Sequence, residues 1–320
     1  MAVPVVSIAV PVVSIVVPTY NHVRWIRAAI ESVLMQRTRW PLEIIISEDA
    51  STDGTRSLVE RFAQDHPDQI RLIGSEHNLR SNEVVARGLR AARGRYVCLL
   101  DGDDFWTDET KVQRQADFLD AHPECSAVFY NAFVVEDDKV TERRWTRADL
   151  PSRLGETDIW EGNPFATSAG MIRTELVRNV PAWYADFFPL TDWPLYVLCA
   201  QHGELAFSDE PCGGYRLHAG GLVSPMAGVR KRDSIEAFYR RMARVLEPSH
   251  AAKAKRGCSR YFLDWAAAHL HAGELGAARD CFRRGLRCGG VGSGVPVGSA
   301  ARLGLLLLSR SLVGSTAGTR

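Results

Sequence analysis

The 320-residue sequence predicts an α/β fold, a doubly wound and mostly parallel sheet with helices on both faces, followed by a C-terminal helical appendage. Three observations predict it. Apolar, β-branched runs alternate with stretches of helical period in the N-terminal part, as βα units do. Each run ends in a polar, turn-forming loop, so several loops gather at one sheet edge, where open α/β sheets bind ligands. One of these loops, Asp101-Gly102-Asp103-Asp104, sets three carboxylates directly behind the buried-strand pattern Tyr96-Val97-Cys98-Leu99-Leu100.

The first unit has a strand over 12–17 that stops at Pro18-Thr19-Tyr20-Asn21. A helix follows, on which Trp25/Ile26, Ala29/Ile30 and Val33/Leu34 recur four residues apart. In the second unit, Leu42-Glu43-Ile44-Ile45-Ile46 is a strand and the polar loop Ser47 to Thr55 opens a helix over 57–64. Asp53 or Thr55 is its expected N-cap, and His66-Pro67 ends it. A third strand over 70–73 and a third helix over 82–92 lead into the Tyr96 run. Beyond the acid cluster, Val112, Ala116 and Leu119 mark a helix that ends at His122-Pro123, and a strand is expected over 126–135. The polar, Arg-rich stretch 136–153 reads as a mobile loop, either a surface connection or a lid.

Carboxylates this close repel one another and are pushed toward the protonated form unless a cation is present. Mg²⁺ or Mn²⁺ would remove the repulsion and leave coordination positions for phosphate oxygens. A solvated acidic turn is the competing reading of so short a motif. The loops carrying Thr19-Tyr20-Asn21, Glu48-Asp49 and the acid cluster together offer a ring to stack on a base, a carboxylate for base or ribose, and a metal-binding cluster. That combination suits a nucleoside diphosphate.

In this order the motifs resemble those of the family 2 glycosyltransferases. Their GT-A fold opens with a strand ending in P-x-Y-N, continues through a D-D-x-S-x-D-x-T loop and reaches a D-x-D motif. Glu48 replaces the first aspartate of the loop, and Asp49 matches the family's base-contacting acid. The resemblance implies a nucleotide-sugar site at Pro18, Tyr20, Asn21 and Asp49, with Asp101 and Asp103 beside ribose and metal and Asp104 as a competing metal ligand. Arg80 and Arg87 either face the diphosphate or decorate a solvated helix.

Thr191-Asp192-Trp193 resembles the family's E-D-W segment, whose aspartate is the general base that takes the acceptor hydroxyl proton. Asp192 is also placed to N-cap a helix starting at Trp193. Tyr215-Arg216-Leu217-His218 resembles a Y-R-x-H segment, so Arg216 and His218 are candidates for diphosphate and metal, although a lone histidine is often structural.

What the resemblance implies is an inverting, metal-assisted transfer from a nucleoside-diphosphate sugar, with UDP- or dTDP-sugars favoured. The acceptor would be a carbohydrate, a lipid-linked intermediate or a small molecule, and no nucleic-acid partner is expected. A sugar-nucleotide nucleotidyltransferase would carry a glycine-rich loop with Arg and Lys after the first strand, where this chain has Pro18-Thr19-Tyr20-Asn21-His22. A non-catalytic scaffold would be signalled by loss of the base or the acid cluster, and both are present.

Five segments are expected: an extension over 1–11, in which Pro4-Val5-Val6-Ser7-Ile8 anticipates Pro11-Val12-Val13-Ser14-Ile15; a nucleotide-sugar half over 12–105; an acceptor half over 106–225; a helical region over 226–290; and a basic tail over 291–320. Residues 1–225 hold 22 Lys/Arg against 32 Asp/Glu, whereas 226–320 hold 17 against 6, so a near-zero total hides a −10/+11 split. Helices over 261–270 and 277–286 resemble one tetratricopeptide hairpin. The apolar stretch 300–310 is shorter than the ~20 residues that span a bilayer. It lies on an anionic membrane surface, docks on the core or is disordered. The seven cysteines lack C-x-x-C spacing and suggest reduced thiols in the cytoplasm, without a disulfide framework or zinc; the basic tail adds peripheral association with the inner face of the membrane as one alternative. The N-terminus lacks the charged segment of a signal peptide.

Overall fold

In the computed structural model, which describes residues 11–136, 138–221, 228–289 and 303–304, the chain divides into two units. One comprises 1–156 with 164–225, the other 157–163 with 226–320. The elements in order are β1 (Val13–Thr19), α1 (Ile26–Leu34), β2 (Leu42–Glu48), α2 (Thr55–Asp65), β3 (Ile70–Gly74), α3 (Glu83–Ala91), β4 (Tyr96–Leu99), β5 (Phe105–Trp106), α4 (Lys111–Ala121), β6 (Cys125–Glu136), β7 (Lys139–Arg144), β8 (Arg153–Leu154), α5 (Glu156–Glu161), β9 (Gly170–Arg173), α6 (Thr174–Val177), α7 (Trp193–Ala200), β10 (Glu204–Leu217), α8 (Gly228–Val245), α9 (Pro248–His271) and α10 (Leu275–Gly289).

The run that ends at Pro18-Thr19 becomes β1, buried along its whole length because strands flank it and helices cover both faces. The sheet order is β3-β2-β1-β4-β9-β6-β10-β5, with β7 beside β6 and β8 beside β10. β1 pairs in parallel with β2 and with β4, and β2 with β3. β9 runs antiparallel between β4 and β6, and β10 runs parallel to β6. The chain winds outward from β1 through β2 to β3 and returns to place β4 on the other side. The crevice at the carboxyl ends of β1 and β4 is therefore a topological switch point.

On one face Val13, Ile15 and Val17 join Ile26, Ile30 and Val33 of α1 and Val112, Ala116 and Leu119 of α4 in one apolar core. On the other face Val16 meets α3 at Gly88, where a Cβ would lie 2.4 Å from Val16 Cγ1. Glycine is what allows α3 to sit this close to β1.

Three expectations are corrected. The stretch 136–153 is not a continuous loop: β7 forms an antiparallel edge strand on β6, and β8 pairs with β10. Nearly every residue of β7 is exposed, so it lacks the alternation that marks a half-buried strand. The N-cap position of α2 is Gly54 at φ 101°, while the Asp53 carboxylate accepts the Thr55 N–H at 2.9 Å. The cysteines are not all thiols: Cys258 and Cys288 are joined as a disulfide, and the other five are free and buried. The α9–α10 hairpin brings these two Cα atoms to 5.8 Å, within disulfide range, a proximity that spacing in sequence does not reveal.

In the second unit the helices run beyond the expected bounds, and α8, which lies within the expected helical region 226–290, is not one of the two individual helices expected there. Arg284 of α10 pairs with Asp280 and with Asp233 and Glu236 of α8. Gly257 of α9 lies so near the Trp160 carbonyl that a Cβ would fall 2.3 Å from its oxygen. Leu303 packs against the small cluster of Leu270 and Ala278. The extension 1–10 and the tail outside 303–304 lie beyond the described residues. Among the described residues no helix is long and apolar enough to cross a membrane.

Gly88→Ala is expected to cost about 1–2 kcal/mol by overpacking against Val16, although Ala gains about 1 kcal/mol in an unobstructed helix interior. Urea unfolding checks this, and in a Val16→Ala background, where Cγ1 is gone, the same substitution should become neutral or stabilising.

Candidate functional site

The first two loops are stitched together. Asn21, at φ 56°, donates its N–H to Ser51 Oγ at 3.0 Å, and its Oδ1 accepts the Thr52 N–H at 2.8 Å. Asparagine tolerates this left-handed conformation better than most residues. The His22 N–H donates to Thr55 Oγ1 at 2.8 Å. Tyr20, directly before these two residues and just past the end of β1, is 41% exposed.

Glu48 does not face a ligand. It is fully buried and accepts the N–H groups of Ser51 at 2.6 Å and Ala50 at 3.2 Å, and Arg56 Nε at 2.7 Å. Burial raises its pKa, but hydrogen bonds from Ser51 and Arg56 more than offset this and hold the carboxyl below the usual glutamate range. Asp49 is buried and accepts the Leu79 N–H at 3.0 Å and the Ser75 hydroxyl at 3.1 Å.

Arg87 is neither a free diphosphate contact nor a solvated side chain. It donates to Ser47 Oγ at 2.7 Å, Ser75 Oγ at 2.5 Å and the Glu48 carbonyl at 2.8 Å, because α3 crosses over the carboxyl ends of β2 and β3. Arg80 is exposed and precedes α3, so it decorates no helix.

The acid loop follows β4. The Gly102 N–H donates to the Pro18 carbonyl at 3.1 Å, and a Cβ at Gly102 would lie 2.7 Å from both Thr19 Oγ1 and His22 Nδ1. Only glycine lets this loop close against the first one. Burial, then the charges of Asp103 and Asp192, push Asp101 up to about 8. Burial also acts on Asp103, but the His218 imidazole, with Nε2 at 2.9 Å from Oδ2, and the nearby His22 outweigh it and lower its pKa. Burial, then Asp103 and Asp101, drive Asp104 well above the carboxylate range.

Asp104 Oδ1 accepts the Arg216 N–H at 2.9 Å, while the buried Oδ2 has no hydrogen-bond partner. The Arg216 guanidinium donates to the Asp103 carbonyl and lies 4.5 Å over the Phe105 ring. His218 packs on Trp25 at 4.2 Å between centroids, and the Trp25 Nε1–H donates to Asp138 Oδ1 at 3.0 Å.

Among the described residues no group of three or more His, Cys, Asp and Glu side chains is placed to hold a metal ion. The donor types gathered here are nonetheless those that divalent cations take. Asp104 presents an orphaned buried carboxylate oxygen, and the neighbouring carboxylates repel one another in a desolvated corner.

Asp192 N-caps α7, its Oδ1 accepting the Trp193 N–H at 2.7 Å. Its Oδ2 accepts the Thr167 hydroxyl at 3.2 Å, and its charge is near enough to Asp101 to raise the pKa there. Thr167 sits on a 3₁₀ turn that opens β9 and is pinned from below. Trp106 Nε1–H donates to the Ser168 carbonyl at 2.7 Å, and Gln115 Nε2–H to the Ala169 carbonyl at 2.9 Å.

Asp101, Asp103, Asp104, Arg216 and His218 thus meet in one place, and Asp192 lies near enough to Asp101 for the two carboxyl groups to interact. Pro18, Tyr20, Asn21 and Asp49 occupy the adjoining ends of β1 and β2. Sequence reasoning missed Thr167, Trp25 and Asp138, which no motif marks. It quoted His22 only as part of the first turn, though its place directly after Asn21 was a usable signal.

The profile of Glycosyl transferase family 2 matches residues 14–180. An uncharacterised protein of Mycobacterium tuberculosis is 33% identical over 205 residues, covering 64% of this chain and 58% of the relative. The chain therefore spans less than two thirds of that relative's length. A UDP-Glc:α-D-GlcNAc-diphosphoundecaprenol β-1,3-glucosyltransferase of Escherichia coli is 35% identical over 208 residues, 63% of this chain and 76% of the relative. Among solved structures, Staphylococcus aureus TarS in complex with UDP-GlcNAc aligns with a TM-score of 0.59 at 17% identity, covering 85% of this chain and 81% of that one, a likeness of fold.

Glu48 supplies a pH-dependent test of how the first two loops are held. Its folded pKa is depressed, so its stabilisation is complete above the free-glutamate value of 4.5 and is lost as pH falls through the folded value. Glu48→Gln is expected to cost about 2 kcal/mol at neutral pH, and the gap to wild type should close in acid. Urea unfolding across pH checks both.

Proposed function

Because this chain belongs to glycosyl transferase family 2, we propose that it is a metal-dependent, inverting glycosyltransferase that moves a sugar from a nucleoside diphosphate to an acceptor hydroxyl. The observation that carries this reading is the approach of two carboxyl groups from different parts of the sheet, Asp101 of the acid loop and Asp192 at the start of α7, near enough for the charge of Asp192 to raise the pKa of Asp101. An inverting displacement needs a donor-side anchor and a base on the opposite face of the sugar, held at fixed separation.

In this reading Tyr20 stacks on the base and Asp49 accepts a hydrogen bond from it. Pro18 and Asn21 shape the base pocket, and Asp101 lies beside the ribose. Asp103, Asp104 and His218 would hold Mg²⁺ or Mn²⁺, which when bound stabilises the departing diphosphate. Arg216 fixes the acid loop through its N–H and guanidinium bonds. Asp192 takes the acceptor proton. Capping α7 through Oδ1 fixes the orientation of this carboxylate and turns Oδ2 toward the acid loop.

A uridine diphosphate donor is favoured, since the Escherichia coli relative is named for UDP-Glc and TarS was solved with UDP-GlcNAc. The same relative supports a lipid-linked acceptor. With that acceptor, the excess of 17 Lys/Arg over 6 Asp/Glu beyond residue 225 suits peripheral attachment to an anionic inner membrane face.

Calorimetric titration of UDP, dTDP and GDP, with and without Mn²⁺, tests the donor site. One nucleotide should bind in a metal-dependent way to wild type and not to Asp103→Ala. Asp192→Asn should keep that binding and lose transfer by about a thousandfold. Well-folded wild-type protein that binds no nucleotide would refute the assignment.

A further inference from the structure

We infer that the loop over 78–82 couples the nucleotide end of the site to the proposed base, and that Asn82 is the positioning residue through which it does so. The inference rests on the donor reading above and adds to it a physical link between the residues that would hold the donor and the one that would take the acceptor proton.

Asn82 stands at the N-cap position of α3, where an asparagine side chain ordinarily accepts an N–H of its own helix. Here it makes no such bond. It is fully buried, and its Nδ2–H donates instead to the Leu190 carbonyl at 2.9 Å, two residues before Asp192. A carbonyl can only accept, so the partner fixes which way the amide points. The Asn82 backbone N–H donates to the Ala185 carbonyl at 3.1 Å, and the Ser81 hydroxyl donates to the same oxygen at 2.8 Å. On the segment so held, the Tyr184 hydroxyl donates to the Thr191 carbonyl at 2.7 Å. The backbone that leads into Asp192 is thus tied to the start of α3.

The other end of the same loop is tied to Asp49. The Leu79 N–H donates to both Asp49 oxygens, at 3.0 and 3.2 Å. Between the two anchors Arg80 is held at φ 46°, and its N–H donates to Asn78 Oδ1 at 2.9 Å. A non-glycine residue keeps this left-handed conformation only where its surroundings impose it. A nucleobase that hydrogen-bonds Asp49 fixes the carboxylate that Leu79 depends on, and the loop passes that ordering to Asn82 and Leu190. Two sites that share the cost of ordering one segment are coupled without a large change of shape.

Hydrogen exchange of the full chain, read by mass spectrometry with UDP, dTDP and GDP in turn and Mn²⁺ present, tests the link. The nucleotide that binds wild type should slow exchange over 182–192 about tenfold, within the usual range of coupling between sites. Asn82→Ala should still bind it and still show slower exchange over 75–80, while the slowing over 182–192 is lost. Ser81→Ala, which removes a single tie, should leave an intermediate effect and melt close to wild type. Binding without slower exchange over 182–192 in wild type, or the same slowing in all three proteins, would overturn the inference and leave the donor reading standing. Faster exchange throughout the first unit in both variants, with no separate loss over 182–192, would mark these contacts as packing alone and overturn it as well. Wild-type protein that binds none of the three nucleotides would overturn both.

Discussion

The carboxyl edge of the sheet is organised around one unfavourable interaction, the mutual repulsion of Asp101, Asp103 and Asp104 in a corner from which water is largely excluded. At an effective dielectric near 20, two like charges about 4 Å apart oppose folding by about 4 kcal/mol. The surroundings treat the three differently. Asp103 is kept ionised by flanking imidazoles, whereas burial and its neighbours drive Asp101 and Asp104 toward the neutral form. Such a cluster persists only on a scaffold that cannot relax, and the parallel pairing of β1 with β4, the Gly102 contact and the two Arg216 bonds supply that rigidity.

The same logic separates residues that hold the site from residues that face it. Glu48 and Arg87 carry charges that a reader of the sequence would place on a ligand. Glu48 instead gathers the second loop around its carboxylate, and Arg87 ties the exits of β2 and β3 together. Their loss would first loosen the loops that present Tyr20 and Asp49. Replacement of the family's aspartate by Glu48 fits this role, because the longer side chain reaches Arg56 on α2 while still accepting the Ser51 N–H.

Much of this was legible in the sequence. Strands buried on both faces, such as β1, β2 and β4, appear as uninterrupted apolar runs, and their turns carry Pro, Gly, Asn and Asp. The acid loop was legible because Asp101, Asp103 and Asp104 are neighbours in the chain. What escaped was of two kinds. β7 is an exposed edge strand with polar residues toward solvent, and β9 is four residues long, so neither shows a period. The remaining misses are pairings between distant positions, including Thr167 with Asp192, Asp104 with Arg216, Cys258 with Cys288 and Asp103 with His22. Until the topology is known, nothing in local composition distinguishes these partners from others of their type.

Asp192 shows how a capping carboxylate can hold more than its own helix. An N-cap needs a single carboxylate oxygen, and here Oδ1 meets the Trp193 N–H. Oδ2 accepts the Thr167 hydroxyl, so the start of α7 is tied to the 3₁₀ turn that opens β9. The charge of Asp192 reaches the acid loop as well, adding to burial and to Asp103 in raising the pKa of Asp101. Trp106 and Gln115 fix the turn that carries Thr167 from the core. The packing beneath the sheet edge is thereby linked to the orientation of one carboxylate at its surface.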